Sequence, residues 1–369
     1  MKKNVMYFIA VFALTALFSA CSKDEFKAKD AQKALKEASN EIAGYVSEFK
    51  KSEGMSSVMN TSNLGKRTTG KQPENGGMLF KNIALNLVKP LAEKFHVETK
   101  KTTAEFDLAL YAGTYSWNFA TNAWVYAKGV PADKIVVTFP ATETATTNNA
   151  AFTLHSISEQ EITSEYNDVY LAITGISADF YVNNVKQLEL NFGAKYSAKG
   201  DPTETNINLF FNPYTLAVKA TLNNFDIYEN FSLKKAGETL ISSEATGVSS
   251  TVYDIPKSIS GYFQAGSIQI NVDMNLEAIY AASENSAQFT NMAGLINDNT
   301  DAVLYSYPEH IKIGTLELEQ SNRDVKVFVV YANDSREDMK PYFEQIGKLI
   351  EEIIADFEAN FNFDNFPEM

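Results

Sequence analysis

The sequence predicts an α+β fold, in which a large, mainly antiparallel β-sheet connected as a meander packs against amphipathic helices at the N- and C-termini. Three observations predict it. Apolar residues recur every three to four positions near both ends of the chain, and they alternate with polar residues through the middle. No helix of crossover length falls between Thr102 and Ala282, which argues against a doubly wound parallel sheet.

The first element is a helix over Phe26 to Lys50. Ala31, Leu35, Ala38, Ile42, Tyr45, Val46 and Phe49 fall on one helical face. Lys and Glu mix on the opposite face and Trp is absent, which favours packing on the protein body over a membrane surface. Ser52 to Gly77 is rich in Ser, Thr, Asn and Gly and reads as a mobile connection. A second helical pattern, Leu79, Ile83, Leu87, Leu91 and Phe95, is bent or ended by Pro90.

After Thr102 the period becomes two. Phe106, Leu108 and Leu110 predict a first strand, and Ile135, Val137 and Phe139 a second. The same alternation marks Leu188, Leu190 and Phe192; Ile268, Ile270, Val272 and Met274; and Val325, Val327, Val329 and Tyr331. One-side-buried strands of this kind imply antiparallel pairing. Turn signals at Thr121-Asn122, Asn183-Asn184, Gly200-Asp201-Pro202 and Asn223-Asn224 separate them at short intervals, as a meander requires. The chain closes with a helix predicted over 339–361, with Phe343, Ile346, Leu349, Ile350, Ile353, Ile354, Phe357 and Phe361 on one face. Asp338 is its N-cap and Pro341 sits in its first turn, where a missing N–H costs little. The apolar face of the sheet is the expected partner for that stripe; a ligand cavity between helix and sheet is the functional alternative.

The N-terminus carries an address. Lys2 and Lys3 precede the apolar run Val5 to Phe18, which has signal-peptide length and is too short to span a bilayer. Leu17-Phe18-Ser19-Ala20-Cys21 resembles a lipobox, with Phe18 in place of the usual aliphatic residue. That resemblance implies cleavage before Cys21 and attachment of lipid to its sulfur, and two acyl chains anchor a protein stably. Cys21 is the only cysteine, so no disulfide framework exists, and thioether lipidation would use a thiol that otherwise has no partner. Ser22-Lys23-Asp24-Glu25 resembles the acidic stretch after the cysteine of surface-exposed Bacteroidetes lipoproteins, and Ser22 in place of Asp resembles the pattern of outer-membrane sorting. The expected location is the outer membrane, with the cell surface favoured over the periplasmic face. The expected organisation is a signal peptide over 1–20, a lipid-anchored helix and mobile linker over 21–77, and a main α+β domain over 78–369.

The formal charge is −14, and two units more negative once Lys2 and Lys3 are removed. Such a chain repels phosphate backbones, so nucleic acid is excluded as a partner. With 369 residues and 45% hydrophobic content, one large or two modest domains fit.

The search for chemistry is mostly a set of exclusions. Gly65 to Lys71 matches most of a phosphate-binding loop, but Gln72 stands where Ser or Thr should hold magnesium and Pro73 blocks the following helix. Asn297-Asp298-Asn299-Thr300-Asp301 has the oxygen density of a calcium loop, yet Ala302 takes its glycine position and Pro308 its bidentate glutamate position. The three histidines, His96, His155 and His310, lie far apart without metal-ligand spacing, and His155 faces solvent from its strand. Ser47 to Lys50 and Ser232 to Lys235 match Ser-x-x-Lys without the companion motifs of a serine acyltransferase. No catalytic residue, metal site or cofactor is assigned.

The most distinctive feature is aromatic. Tyr115, Trp117 and Phe119 share one face of a strand, Trp124 and Tyr126 share a face of the next, and the hairpin holds both tryptophans of the chain. Tyr115-x-Trp117-Asn118, Trp124, Phe139-Pro140 and Asn148-Asn149-Ala150 resemble a pattern in Bacteroidetes lipoproteins of uncharacterised function, over residues 113 to 150 only. Tyr115, Trp117, Trp124 and Tyr126 are therefore the candidate ligand-binding residues, as a stacking surface for a sugar or partner if exposed and as core if covered. The expectation is a non-enzymatic envelope lipoprotein that holds a glycan or an apolar ligand. A structural or interaction component of the outer membrane, engaging an envelope protein, is the alternative; an exported hydrolase is a third reading.

Overall fold

The computed structural model describes residues 26–57 and 106–342, apart from 122, 143, 164–168, 199, 251–254, 285–290 and 322–323, together with 344 and 348. Cys21, the phosphate-loop-like segment, the second predicted helix, His96 and nearly all of the C-terminal helix lie outside the described residues.

Among the described residues, sixteen strands form one mainly antiparallel sheet. From β3 onward every strand neighbours the next in sequence, so the expected meander holds over most of the chain. The exception is the start, where the order runs β4-β3-β1-β2 and β1 pairs with β3 in parallel. The chain divides into two units, with the boundary between Leu216 and Ala217.

One unit spans 49–216 and 351–369. It contains β1 (Gly113–Asn118), β2 (Ala123–Lys128), β3 (Ile135–Phe139), β4 (Ala150–Thr163), β5 (Val169–Val182), β6 (Val185–Tyr196) and β7 (Pro202–Phe211). Its core is the face carrying Val137, Phe152, Leu154, Ile176, Ala178, Phe180 and Leu190. Alternation puts Ser177, Asp179, Glu189 and Asn191 on the opposite face. The strand expected at Phe106, Leu108 and Leu110 is instead a short helix over Leu108–Tyr111. Asp107 caps it, accepting the Ala109 N–H at 2.9 Å, and this local bond outweighs an alternation only three apolar residues long.

The other unit spans 1–48 and 217–350. The helix α1 (Ala28–Lys50) buries Ala31, Leu35, Ala38, Ile42 and Ala43 on the stripe that the sequence marks. Strand β8 (Tyr214–Asn223) crosses the unit boundary, and β9 (Asp226–Lys235), β10 (Glu238–Ser249), β11 (Pro256–Ala265) and β12 (Ile268–Asn275) follow. After them come helices over Leu276–Glu284 and Met292–Asp298, and then β13 (Thr300–Ser306), β14 (Lys312–Ser321), β15 (Asp324–Val330) and β16 (Arg336–Asp338). Ala31, Leu35, Ala38 and Ile42 belong to one buried cluster with Ile268, Ile270, Val272 and Leu304. Glu41 accepts the Ser267 backbone N–H at 3.0 Å. At the end of β16, Asp338 accepts the Lys340 N–H at 2.8 Å, just before the helical residues 340–342.

Candidate functional site

The aromatic hairpin forms as predicted, with Tyr115 opposite Tyr126 and Trp117 opposite Trp124 across β1 and β2. Of the four candidate residues Tyr126 alone is exposed, at 39%; Tyr115 is 5% exposed, and the two tryptophans are half-buried against the core of their unit. The rings satisfy one another. Tyr115 stacks on Tyr126 with centroids 4.2 Å apart, and Trp117 meets Trp124 edge to face at 77°. A sugar platform needs a ring face turned to solvent, and the edge-to-face pair uses one such face internally. Tyr126 donates from its hydroxyl to the Ala112 carbonyl, which ties the hairpin to the chain before it.

A second constellation emerges on the polar face of the same unit. Register sets Asp179 beside Glu189 and Glu189 beside Phe210, with Ser177 beside Asn191 and Asn191 beside Asn208 in the adjacent row. The side chains interlock. Lys186 donates to Glu189 at 2.5 Å, Asn191 donates to Glu189 at 3.1 Å, and Ser177 donates to Asn191 at 2.9 Å. The Lys186 and Asn191 hydrogen bonds hold the Glu189 carboxyl below the usual carboxylate range against the opposing effect of burial, and Glu189 in turn raises the Lys186 ammonium.

His155 joins the cluster through a bulge. Leu154 pairs with Ala178 and Ser156 with Ser177, leaving His155 as the extra residue of β4. Its Nε2 lies 2.7 Å from Asp179 Oδ2, and the residue is exposed, as its place in the strand predicts. Beside this network an open hollow of about 410 Å³ is lined by Lys186, Glu189, Asn191, Asn208, Phe210 and Thr215. In the next row Gly175 faces Gly193, and a Cβ at Gly193 would meet nothing within 4 Å, so the floor there carries no side chain. The arrangement presents an ammonium, a carboxylate and two amides within one patch, beside the ring of Phe210.

Sequence reasoning missed this site because its members are ordinary polar residues on the solvent side of strands. The available signal was the density of Ser, Asp, Glu and Asn at the positions alternating with Ile176, Ala178, Leu188 and Leu190. Among the described residues no group of His, Cys, Asp and Glu is arranged to hold a metal ion, and no helix is long and apolar enough to cross a membrane. Comparison with known proteins finds no family model, no curated protein and no solved structure that matches this chain.

Proposed function

We propose that this chain is an outer-membrane lipoprotein, held by lipid on Cys21 and displayed at the cell surface, that binds a glycan without transforming it. The observation that carries the binding reading is the linked set Lys186, Glu189, Asn191 and Ser177 beside the hollow lined by Asn208 and Phe210. Sugar hydroxyls pair with carboxylate, ammonium and amide groups whose positions are already fixed, so little ordering remains to be done on binding. A ring such as Phe210 suits the apolar face of a pyranose. The location rests on the N-terminal sequence, Lys2 to Glu25.

The same reading assigns the terminal helices a scaffolding role. Helix α1 shares a buried cluster with the sheet through Leu35 and Ile42.

The test uses the full-length protein in detergent on a panel of immobilised polysaccharides. Wild type binds at least one, and Glu189→Gln or Asn191→Ala weakens that binding about tenfold or more, the worth of one charge-assisted or well-placed hydrogen bond. Failure of the wild type on the whole panel, or retention of binding by both variants, rejects the glycan reading. Cys21→Ser separately tests the anchor: the protein should leave the membrane fraction, and unchanged acyl-dependent association rejects lipidation.

A further inference from the structure

The two terminal strands of the sheet are built differently. β16 is three residues long and every one is charged, Arg336, Glu337 and Asp338, a pattern that discourages further pairing. β2 is six residues long, Ala-Trp-Val-Tyr-Ala-Lys, uncharged until its last position and without proline. Val125 is 49% exposed and Tyr126 39%, and Leu110, Tyr111, Phe119 and Val130 of the same unit are also exposed. Among the described residues nothing pairs with the outer edge of β2.

The backbone pattern tells which groups line that edge. Gly129 donates its N–H to the Ala112 carbonyl at 2.9 Å, making Ala112 and Gly129 a hydrogen-bonded pair. Antiparallel ladders alternate, so Thr114 with Ala127 and Ser116 with Val125 are the next bonded pairs. The N–H and C=O of Trp124 and Tyr126 therefore point away from β1.

We propose that β2 is a self-pairing edge, to which β2 of a second copy of this chain adds antiparallel about a two-fold axis through Val125. In that register Trp124 lies opposite Tyr126 of the partner subunit, and the reverse holds on the other side of the axis. Both residues offer outward N–H and C=O groups, so the two pairs exchange four backbone hydrogen bonds. The aromatic faces of the two copies coincide, and each Tyr115-Tyr126 pair continues into the Trp pair of the other chain. Val125 meets its own symmetry mate, and Ala123 meets Ala127. A slip of one residue would place the aromatic face of one copy against the Ala123-Val125-Ala127 face of the other. The self-complementarity of both the backbone groups and the side-chain faces is what selects a second copy over a foreign strand.

The test introduces one thiol at the axis of the full-length chain carrying Cys21→Ser, in detergent. Val125→Cys should give a disulfide-linked dimer under mild oxidation, because a non-hydrogen-bonded antiparallel pair brings Cα atoms to about 4.5 Å, within disulfide reach. Val248→Cys, 56% exposed in β10, serves as the control for random collision. Val125→Lys and Val125→Glu should each abolish self-association while retaining the wild-type circular dichroism, and mixing the two should restore a heterodimer. The proposal is overturned if Val125→Cys cross-links no faster than the control, if the lysine variant still dimerises, or if cross-linking in the native envelope captures a different protein instead of a second copy.

Discussion

Tyr331 donates its hydroxyl hydrogen bond to Glu337 at 2.7 Å, across the turn that joins β15 to β16. Tyr342 donates to the other carboxylate oxygen at 2.8 Å, so one side chain ties the last strand to the start of the C-terminal helix.

This clamp predicts an acid-sensitive contribution to stability. Burial pushes the Glu337 carboxyl up, but hydrogen bonds from Tyr331, Tyr342 and Gln32 outweigh it and hold the group below the ordinary carboxylate range. A lowered folded-state value means that the contribution is complete above the unfolded carboxylate pKa and is lost as pH falls through the folded one. Glu337→Gln should cost about 1–2 kcal/mol near neutral pH. In urea melts at successive pH values, the gap from wild type should narrow below about pH 4.

Two glycines should respond in opposite directions to the same change. Gly44 lies exposed within α1, and a Cβ there meets nothing within 4 Å. Gly44→Ala should therefore gain about 0.5–1 kcal/mol of helix stability. At Gly54 a Cβ would meet the Asn212 nitrogen at 2.6 Å and the Gln187 oxygen at 2.7 Å, both backbone atoms. Gly54 also donates its N–H to the Asn212 carbonyl at 3.1 Å, so the close approach is bonded. Gly54→Ala should cost about 1–3 kcal/mol, read as a lower melting temperature.

Leu35 is 1% exposed and is among the largest fully buried side chains of the chain. Leu35→Ala should lower unfolding free energy by about 2–5 kcal/mol, the range for leaving a cavity in a packed core. Lys33, on the solvent side of the same helix, forms an exposed pair with Glu37 at 3.7 Å, and its replacement by Ala should change stability by less than about 1 kcal/mol. Paired denaturant titrations separate the two outcomes.

The β5–β6 turn places Asn183 at φ 50° and Asn184 at φ 62°, the left-handed pair that a two-residue hairpin requires. Asn184→Val should cost about 1–2 kcal/mol through backbone strain alone, while Asn184→Gly should stay close to wild type. Thermal melts of the two variants make the comparison.

The strands were legible wherever alternation ran long enough, as in Ile268 to Met274 and Val325 to Val329, because a sustained period of two fits no helix; that β12 also buries Gln269 and Asn271 on its other face was not legible. Helix α1 was legible for the same reason at period 3.6. Phe106 to Leu110 misled because three alternating residues also fit one capped helical turn. The helices over Leu276–Glu284 and Met292–Asp298 are nine and seven residues long, too short for a stripe to build up, although Asn291 caps the second by accepting the Gly294 N–H. The polar site was hidden for a different reason. Ser177, Asn191 and Asn208 become neighbours only through the register of β5, β6 and β7, and His155 reaches Asp179 only through a bulge in the separate β4–β5 ladder.

The unbroken order from β3 to β16 governs how the sheet assembles as well as how it looks. Each of those pairings joins strands adjacent in sequence, so most loops to be closed during folding are short and contact order per pairing is low. The parallel pairing of Gly113 with Ile135 is the exception, since it must wait for β2 to fold back between them in sequence. The strand that carries the open edge therefore belongs to the region where spatial order departs from sequence order, while the polar patch of β5 to β7 lies where the two coincide.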